Sequence, residues 1–188
     1  DVDNDLSDLS LSMSNNPDWL TLEEFMLTGT PGDDDVGISY VFFNLTDGFL
    51  NTIIEYQIIV NPVNDAPIAY TQDLTTQEDQ NLIIVLSSID IDNDLLFYNI
   101  VDNPINGTIS LTENIVTYTP LENFNGNDSF IFSVSDGELS SENIITITIE
   151  GVNDAPSIIE ILDLTIDEDT QFEYEIIAVD VDGDFLEY

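Results

Sequence analysis

The chain has 188 residues, 39 of them Asp or Glu, with no Lys, Arg or His, so its formal charge at neutral pH is −39. Every charged side chain is an anion: no side-chain ion pair forms within the chain, and two carboxylates about 4 Å apart repel by roughly 4 kcal/mol at an effective dielectric near 20 unless water or a cation intervenes. The missing Lys, Arg, His and Cys exclude a nucleic-acid-binding basic patch, a Ser–His triad, a thiol nucleophile, a P-loop, an ordinary zinc site and any disulfide.

An enzyme would have to run on carboxylates alone, as glycosidases can. At 43% hydrophobic residues the chain has the apolar surface to build cores and is not a disordered acidic tail. No apolar run approaches transmembrane length, so direct membrane insertion is not expected. No signal peptide opens the chain, and its start at Asp1 reads as truncation.

In chain order, the acidic run Asp1-Val2-Asp3-Asn4-Asp5 comes first, followed by Trp19, by Asp33 and Asp34, and by a turn at Thr46-Asp47-Gly48. Val63-Asn64-Asp65-Ala66-Pro67 reads as a linker. Beyond it the pattern predicts strands throughout: around residues 68–75, then 82–86, 95–101, 108–111, 115–118, 129–135 and 144–149. These runs are rich in β-branched residues, alternate partly with period two and are bounded by acidic or Asn-Gly turns, with no helical periodicity.

The landmarks then return. Val152-Asn153-Asp154-Ala155-Pro156 repeats the linker after 89 residues, and Ser135-Asp136-Gly137 repeats the turn after 89. Glu168-Asp169 repeats Glu78-Asp79 after 90. The opening acidic run recurs as Asp90-Ile91-Asp92-Asn93-Asp94 and as Asp180-Val181-Asp182-Gly183-Asp184. A period near 90 is too long for a solenoid unit, and seven strands in that length point to a Greek-key sandwich. The expected organisation is therefore all-β: tandem seven-stranded Greek-key β-sandwich domains. Residues 1–65 read as a domain lacking its opening segment, 66–154 as a complete one, and 155–188 as the truncated start of a third.

These landmarks, in this order, resemble the cadherin-like tandem repeats of bacterial surface adhesins, a cadherin/Ig-like sandwich. The matching residues are Glu78-Asp79, Asp90-Ile91-Asp92, Ser135-Asp136-Gly137 and Asn153-Asp154-Ala155-Pro156, with the run from Tyr118-Thr119-Pro120 to Asn127-Asp128-Ser129-Phe130. Pro17-Asp18-Trp19-Leu20 and Gly29-Thr30-Pro31 resemble the dystroglycan-type variant. The resemblance implies calcium between consecutive domains, held by both domains and the linker. At the first junction it implies Asn64, Asp65, Asp90, Asp92, Asp94 and Asp136, with Asp33 or Asp34 from the preceding domain. At the second it implies Glu78, Asn153, Asp154, Asp180, Asp182 and Asp184, with Glu122 as a further candidate. Calcium suits such sets because it takes six to eight hard oxygens in flexible geometry. The sequence departs from the cadherin linker at Pro62 and Gly151, where an Asp is usual, and at Ala66 and Ala155, where an Asn is, which implies fewer or weaker ions per junction.

Plainer readings stand beside these. Asp-Asn-Asp and Asp-Gly are ordinary turn chemistry, although recurrence at one period in a chain without cations favours metal. Asp128 reads as a loop acid. An EF-hand is rejected, because the sixth and twelfth positions from Asp90 are Leu95 and Val101 and the flanks are strands. The aromatic residues, Trp19 included, read as sandwich core rather than a sugar platform. Asn44, Asn106 and Asn127 lie in N-x-S/T sequons, which matter only in a glycosylating pathway. The functional expectation is a non-enzymatic, calcium-stiffened spacer or stalk in a large extracellular or cell-surface adhesion protein, its partners being neighbouring repeats of its own chain. A direct binding module for a cell-surface glycan or protein, or a spacer within a secreted enzyme, are the alternatives.

Overall fold

The structure is a computed structural model, and it describes residues 9–161 and 163–187. The acidic run at 1–5 lies outside the described residues. The chain divides between Asp65 and Ala66 into two compact units.

In the first unit, β1 (Ser10–Ser14), β2 (Leu20–Glu23) and β3 (Met26–Gly29) precede a 3-10 turn at Asp33–Asp35, and β4 (Gly37–Thr46) and β5 (Asn51–Val60) follow. β1, β4 and β5 form one antiparallel sheet in that order, and β2 and β3 form a separate hairpin. Glycine is required at position 29: a Cβ there would sit 2.1 Å from the Trp19 carbonyl oxygen and 2.9 Å from the indole Cε3. Phe43 and Tyr56 meet edge to face across β4 and β5, with ring centroids 5.6 Å apart.

The second unit opens with β6 (Ile68–Ala69), β7 (Gln72–Gln77), β8 (Leu82–Val85) and β9 (Ser88–Ile89). It continues with β10 (Phe97–Asp102), β11 (Gly107–Thr112), β12 (Ile115–Pro120), β13 (Gly126–Ser135) and β14 (Ser140–Glu150). One sheet has the order β10-β13-β14-β7 and the other β11-β12-β8. All pairings are antiparallel except β7, which runs parallel to β14. The alternation in the sequence explains what is inside. Phe130, Phe132 and Val134 on β13 and Ile145, Ile147 and Ile149 on β14 point inward, against Ile84, Val116 and Tyr118 of the other sheet and Leu86 just after β8. Each fully buried side chain of this kind contributes about 1.5–3 kcal/mol relative to exposure. This is the expected all-β sandwich.

The expected strands are present with shifted edges. The first splits into β6, which pairs with β9, and β7, which crosses to the other sheet. The run at 95–101 enters a strand only at Phe97, and β13 begins at Gly126, three residues before the expected start.

After β14, β15 (Ser157–Ile158) pairs with β16 (Ala178–Val179) as β6 pairs with β9. The neighbouring backbone bond recurs too: Tyr70 N–H donates to the Ser87 carbonyl at 3.0 Å and Ile159 N–H to the Ile177 carbonyl at 2.9 Å. The opening of the repeat is thus built twice.

Candidate metal centre

The site begins where β7 ends. Glu78 is 2% exposed. Its N–H donates to the Glu150 carbonyl at 2.9 Å, and its Oε1 accepts the Val152 N–H at 2.6 Å. The carboxylate is thereby fixed against the segment that leaves β14 for the linker. Asp79 sits in the left-handed region at φ +58°, as its repeat counterpart Asp169 does at +61°. Its Oδ1 accepts the Asn123 N–H at 3.1 Å.

From the linker comes Asp154, whose N–H donates to Asp182 Oδ2 at 2.6 Å. Asp182 in turn belongs to a tight turn ordered by Asp180, whose Oδ1 accepts the N–H groups of Asp182 at 3.0 Å and Asp184 at 3.2 Å. Gly183 occupies the left-handed position of that turn, at φ +77°. Glu78, Asp154 and Asp182 each place a carboxylate oxygen within 4.8 Å of the others. Asp154 Oδ2 is shut off from solvent and has no hydrogen-bond partner. Its carboxyl is held above the ordinary carboxylate range, first by desolvation and then by the negative charge of Asp182, Asp79, Glu78 and Asp180.

The same turn recurs at Asp90, Asp92 and Asp94, whose carboxylates also converge within 4.8 Å. Asp90 Oδ1 accepts the N–H groups of Asp92 at 3.0 Å and Asp94 at 3.2 Å, with Asn93 at φ +60° where the other copy has glycine. Asp90 is 7% exposed, and its Oδ2 is buried without a partner. The turn lies between β9 and β10, so its flanks are strands, as the rejection of an EF-hand requires.

Both groups fit a hard cation. A buried carboxylate oxygen with neither water nor a donor costs several kcal/mol unless it is neutralised. Oxygens that converge within 4.8 Å of one another can share an ion whose ligand distance is about 2.3–2.6 Å, as for calcium.

The remaining residues named from sequence lie around these groups or elsewhere. Asn153 is exposed and donates its side-chain amide to the Asp154 carbonyl. Asp136 sits in the β13–β14 turn, where its Oδ1 accepts the N–H groups of Glu138 and Leu139, both at 2.7 Å, and it falls in neither carboxylate group. Asn64 and Asp65 close the first unit after β5. Asp33 and Asp34 are exposed on the 3-10 turn, and Glu122 is exposed.

Asp128 is no ligand candidate, because donors already occupy both its oxygens. Oδ1 accepts from Ile105 and Ser129, and Oδ2 from Asn106 and the Tyr118 hydroxyl at 2.9 Å. Burial, then this hydrogen bond and the Asp128 charge, push the Tyr118 phenol well above its usual range. Sequence reasoning left Asp79 out of the ligand sets, although its negative charge reaches Asp154; its recurrence as Asp169 was the available signal.

A family model described as a bacterial Ig domain matches residues 64–149. No curated protein sequence matches the chain. Among solved structures, the chain is similar to mouse protocadherin-24 EC1-3 at 17% identity, over 93% of this chain and 66% of that one, with a TM-score of 0.53. It is similar to human protocadherin-24 EC1-2 at 15% identity, over 79% and 86% of the two chains, with a TM-score of 0.51. It also matches an endo-fucoidan hydrolase, MfFcnA4, from glycoside hydrolase family 107, at 26% identity and a TM-score of 0.40, over 77% of this chain but only 24% of that one. The chain thus spans about a quarter of that hydrolase's length. The family match and the protocadherin likeness establish an Ig/cadherin-like fold. Among the described residues no helix is long and apolar enough to cross a membrane.

Proposed function

We propose that this chain is a calcium-stiffened spacer in a large extracellular or cell-surface adhesion protein, built from cadherin-like repeats of the bacterial adhesin type and without catalysis of its own. One observation carries the reading. The linker carboxylate Asp154 has an enclosed, unpartnered oxygen within 4.8 Å of carboxylate oxygens on Glu78, from the repeat before it, and Asp182, from the segment after it. A cation there touches both sides of a joint between repeats.

Glu78, Asp154 and Asp182 would hold the ion, with Asp180, Asp184, Asp79 and Asn153 around them. Bound calcium supplies the positive charge that the chain has nowhere else. The residues do the rest. Backbone N–H groups pin one oxygen each of Glu78, Asp180 and Asp182, so the acids converge before any ion arrives. Left unneutralised, they repel, and the strain falls on the short linker. Asp90, Asp92 and Asp94 are proposed as a second calcium site on the same turn chemistry, with Asp136 kept in its ligand set on the strength of the repeat alone. Extracellular calcium modules work at about 10⁻⁴–10⁻³ M, and that is the affinity range proposed here.

Small-angle scattering on the whole chain tests the stiffening. Millimolar calcium is expected to narrow the distance distribution relative to chelator, and to slow cleavage near 151–154 by a protease that cuts at acidic residues. Superimposable profiles with and without calcium contradict the proposal.

A further inference from the structure

The chain has two Asn-Gly pairs, Asn106-Gly107 and Asn125-Gly126, and the fold treats them differently. Asparagine is thermolabile, most of all before glycine, which has no Cβ to keep its backbone nitrogen from the asparagine side chain. Asn106 is held. It is half-buried, its N–H donates to Asp128 Oδ2 at 2.9 Å, and its carbonyl accepts the Leu121 N–H at 2.8 Å and the Tyr118 hydroxyl at 3.3 Å. Gly107 lies so close to Tyr118 that a Cβ there would sit 2.4 Å from the ring.

Asn125 has no such ties. It is exposed, it precedes β13, and no hydrogen bond holds its side chain among the described residues. Gly126, the first residue of β13, has φ +137°. The fold asks for that glycine but not for the asparagine. Eighty-nine residues earlier the first unit has Val36-Gly37, with Gly37 at φ +126°.

The location gives the reactivity a consequence. Asn125 Nδ2 lies 3.5 Å from where a Cβ on Gly151 would stand. Gly151 precedes Val152, whose N–H holds the Glu78 carboxylate. The Asn125 side chain therefore borders the linker where it enters the joint.

We propose that Asn125 is a site of spontaneous deamidation, which adds a carboxylate beside the joint as the protein ages. The Gly126 backbone nitrogen attacks Asn125 Cγ, and the new C–N bond closes a cyclic succinimide. The side-chain nitrogen leaves as ammonia, carrying the proton that Gly126 gives up. Water then opens the ring at either carbonyl, giving aspartate or isoaspartate. Nothing is oxidised or reduced, and water is the only co-reactant. In a chain without Lys, Arg or His the added charge finds no partner but a cation. Its effect on calcium rests on the function proposed above; the modification itself does not.

Mass mapping of the full chain reads the reaction. The chain is held at neutral pH in chelator for weeks, folded or in urea, and then cut after glutamate. Asn125 falls in the peptide 123–138 and Asn106 in the peptide 79–113. In the folded chain the amide-to-acid mass increment should accumulate at Asn125 at least tenfold faster than at Asn106. In urea the two rates should come within a few-fold of each other. Asn125→Gln should remove the increment from the peptide 123–138. Asn125→Asp, which installs one of the two products, should bind calcium several-fold more tightly than wild type and lose that gain when Asp154→Asn is added. A folded chain that keeps Asn125 intact while both pairs react in urea overturns the proposal, as does equal reaction at Asn106 in the folded chain. Equal calcium isotherms for wild type and Asn125→Asp overturn its effect at the joint. A chain that binds no calcium at all contradicts the function proposed above instead, and the mass increment still decides the chemistry at Asn125.

Discussion

The hairpin β4–β5 turns through Thr46-Asp47-Gly48, where Asp47 Oδ1 accepts the N–H groups of Phe49 at 2.8 Å and Leu50 at 2.7 Å and Thr46 Oγ1 reaches the Leu50 carbonyl at 2.8 Å. Eighty-nine residues on, β13–β14 turns through Ser135-Asp136-Gly137 with the same bonds to Glu138 and Leu139 at 2.7 Å each, and from Ser135 to the Leu139 carbonyl at 2.7 Å. Local chemistry is duplicated; burial is not. Ile145 is fully buried, whereas its counterpart Tyr56 is 56% exposed. The second hairpin has β7 beside β14 and a second sheet across from it, while β5 ends its sheet among the described residues. A turn sequence can therefore specify a hairpin and its register without specifying a core. The core comes from strands outside the hairpin: β7 beside β14, and β8, β11 and β12 in the sheet across from it.

The two hairpins should differ when each is perturbed. The largest expected effect comes from expressing the pieces apart: residues 66–154 should melt cooperatively by circular dichroism and residues 1–65 should not. A cooperative melt of 1–65 would show that the two hairpins are equally supported. Next, Ile145→Ala should cost about 2–5 kcal/mol in denaturant unfolding, whereas Tyr56→Ala should cost about 1 kcal/mol, mostly the ring contact with Phe43. Asp128→Ala strips partners from buried groups, the Tyr118 hydroxyl among them, and should cost about 3 kcal/mol. Tyr118→Phe, which removes one donor, should cost about 1 kcal/mol.

The smallest effects belong to the duplicated turns. Asp47→Asn and Asp136→Asn should each lower the melting temperature slightly and by similar amounts. The N–H groups of Leu50 and Phe49 hold the Asp47 carboxyl below its usual range. The contribution of Asp47 is therefore complete above the unfolded value of about 3.9 and is lost as pH falls through its lower folded value. Asp47→Asn should accordingly flatten the acid limb of the stability curve measured by thermal melts.

Much of this was legible in the sequence. The alternation at 129–135 and 144–149 marks inward Phe and Ile, and the 89–90-residue period places the linker acids opposite a recurring turn. Other features were hidden because their causes are distant. The parallel pairing of β7 with β14 joins Gln72 to Ile145, and no local pattern announces it. Asp128 reads as a loop acid because Ile105, Asn106 and Tyr118, which bury and saturate it, come from other elements. The strand expected from Leu95 starts late because Asp90 draws the N–H groups of Asp92 and Asp94 into its own turn. The period brought Glu78, Asp154 and Asp182 onto one list; only the fold shows the enclosed oxygen between them.

The proposed hold of Asp154 on a cation at the joint is open to calorimetric calcium titration of the wild-type chain beside Asp154→Asn. The variant should lose a binding event that the wild type shows in the 10⁻⁴–10⁻³ M range, while Asp47→Asn binds as the wild type does. Without calcium the sign reverses. The Asp154 carboxyl is raised in the folded chain, so the folded state keeps a proton that the unfolded state has released above about pH 3.9. Stability then falls as pH rises through that window, and Asp154→Asn, which cannot ionise, should melt higher than wild type at pH 7 in chelator. Equal calcium isotherms for wild type and Asp154→Asn would contradict the claim.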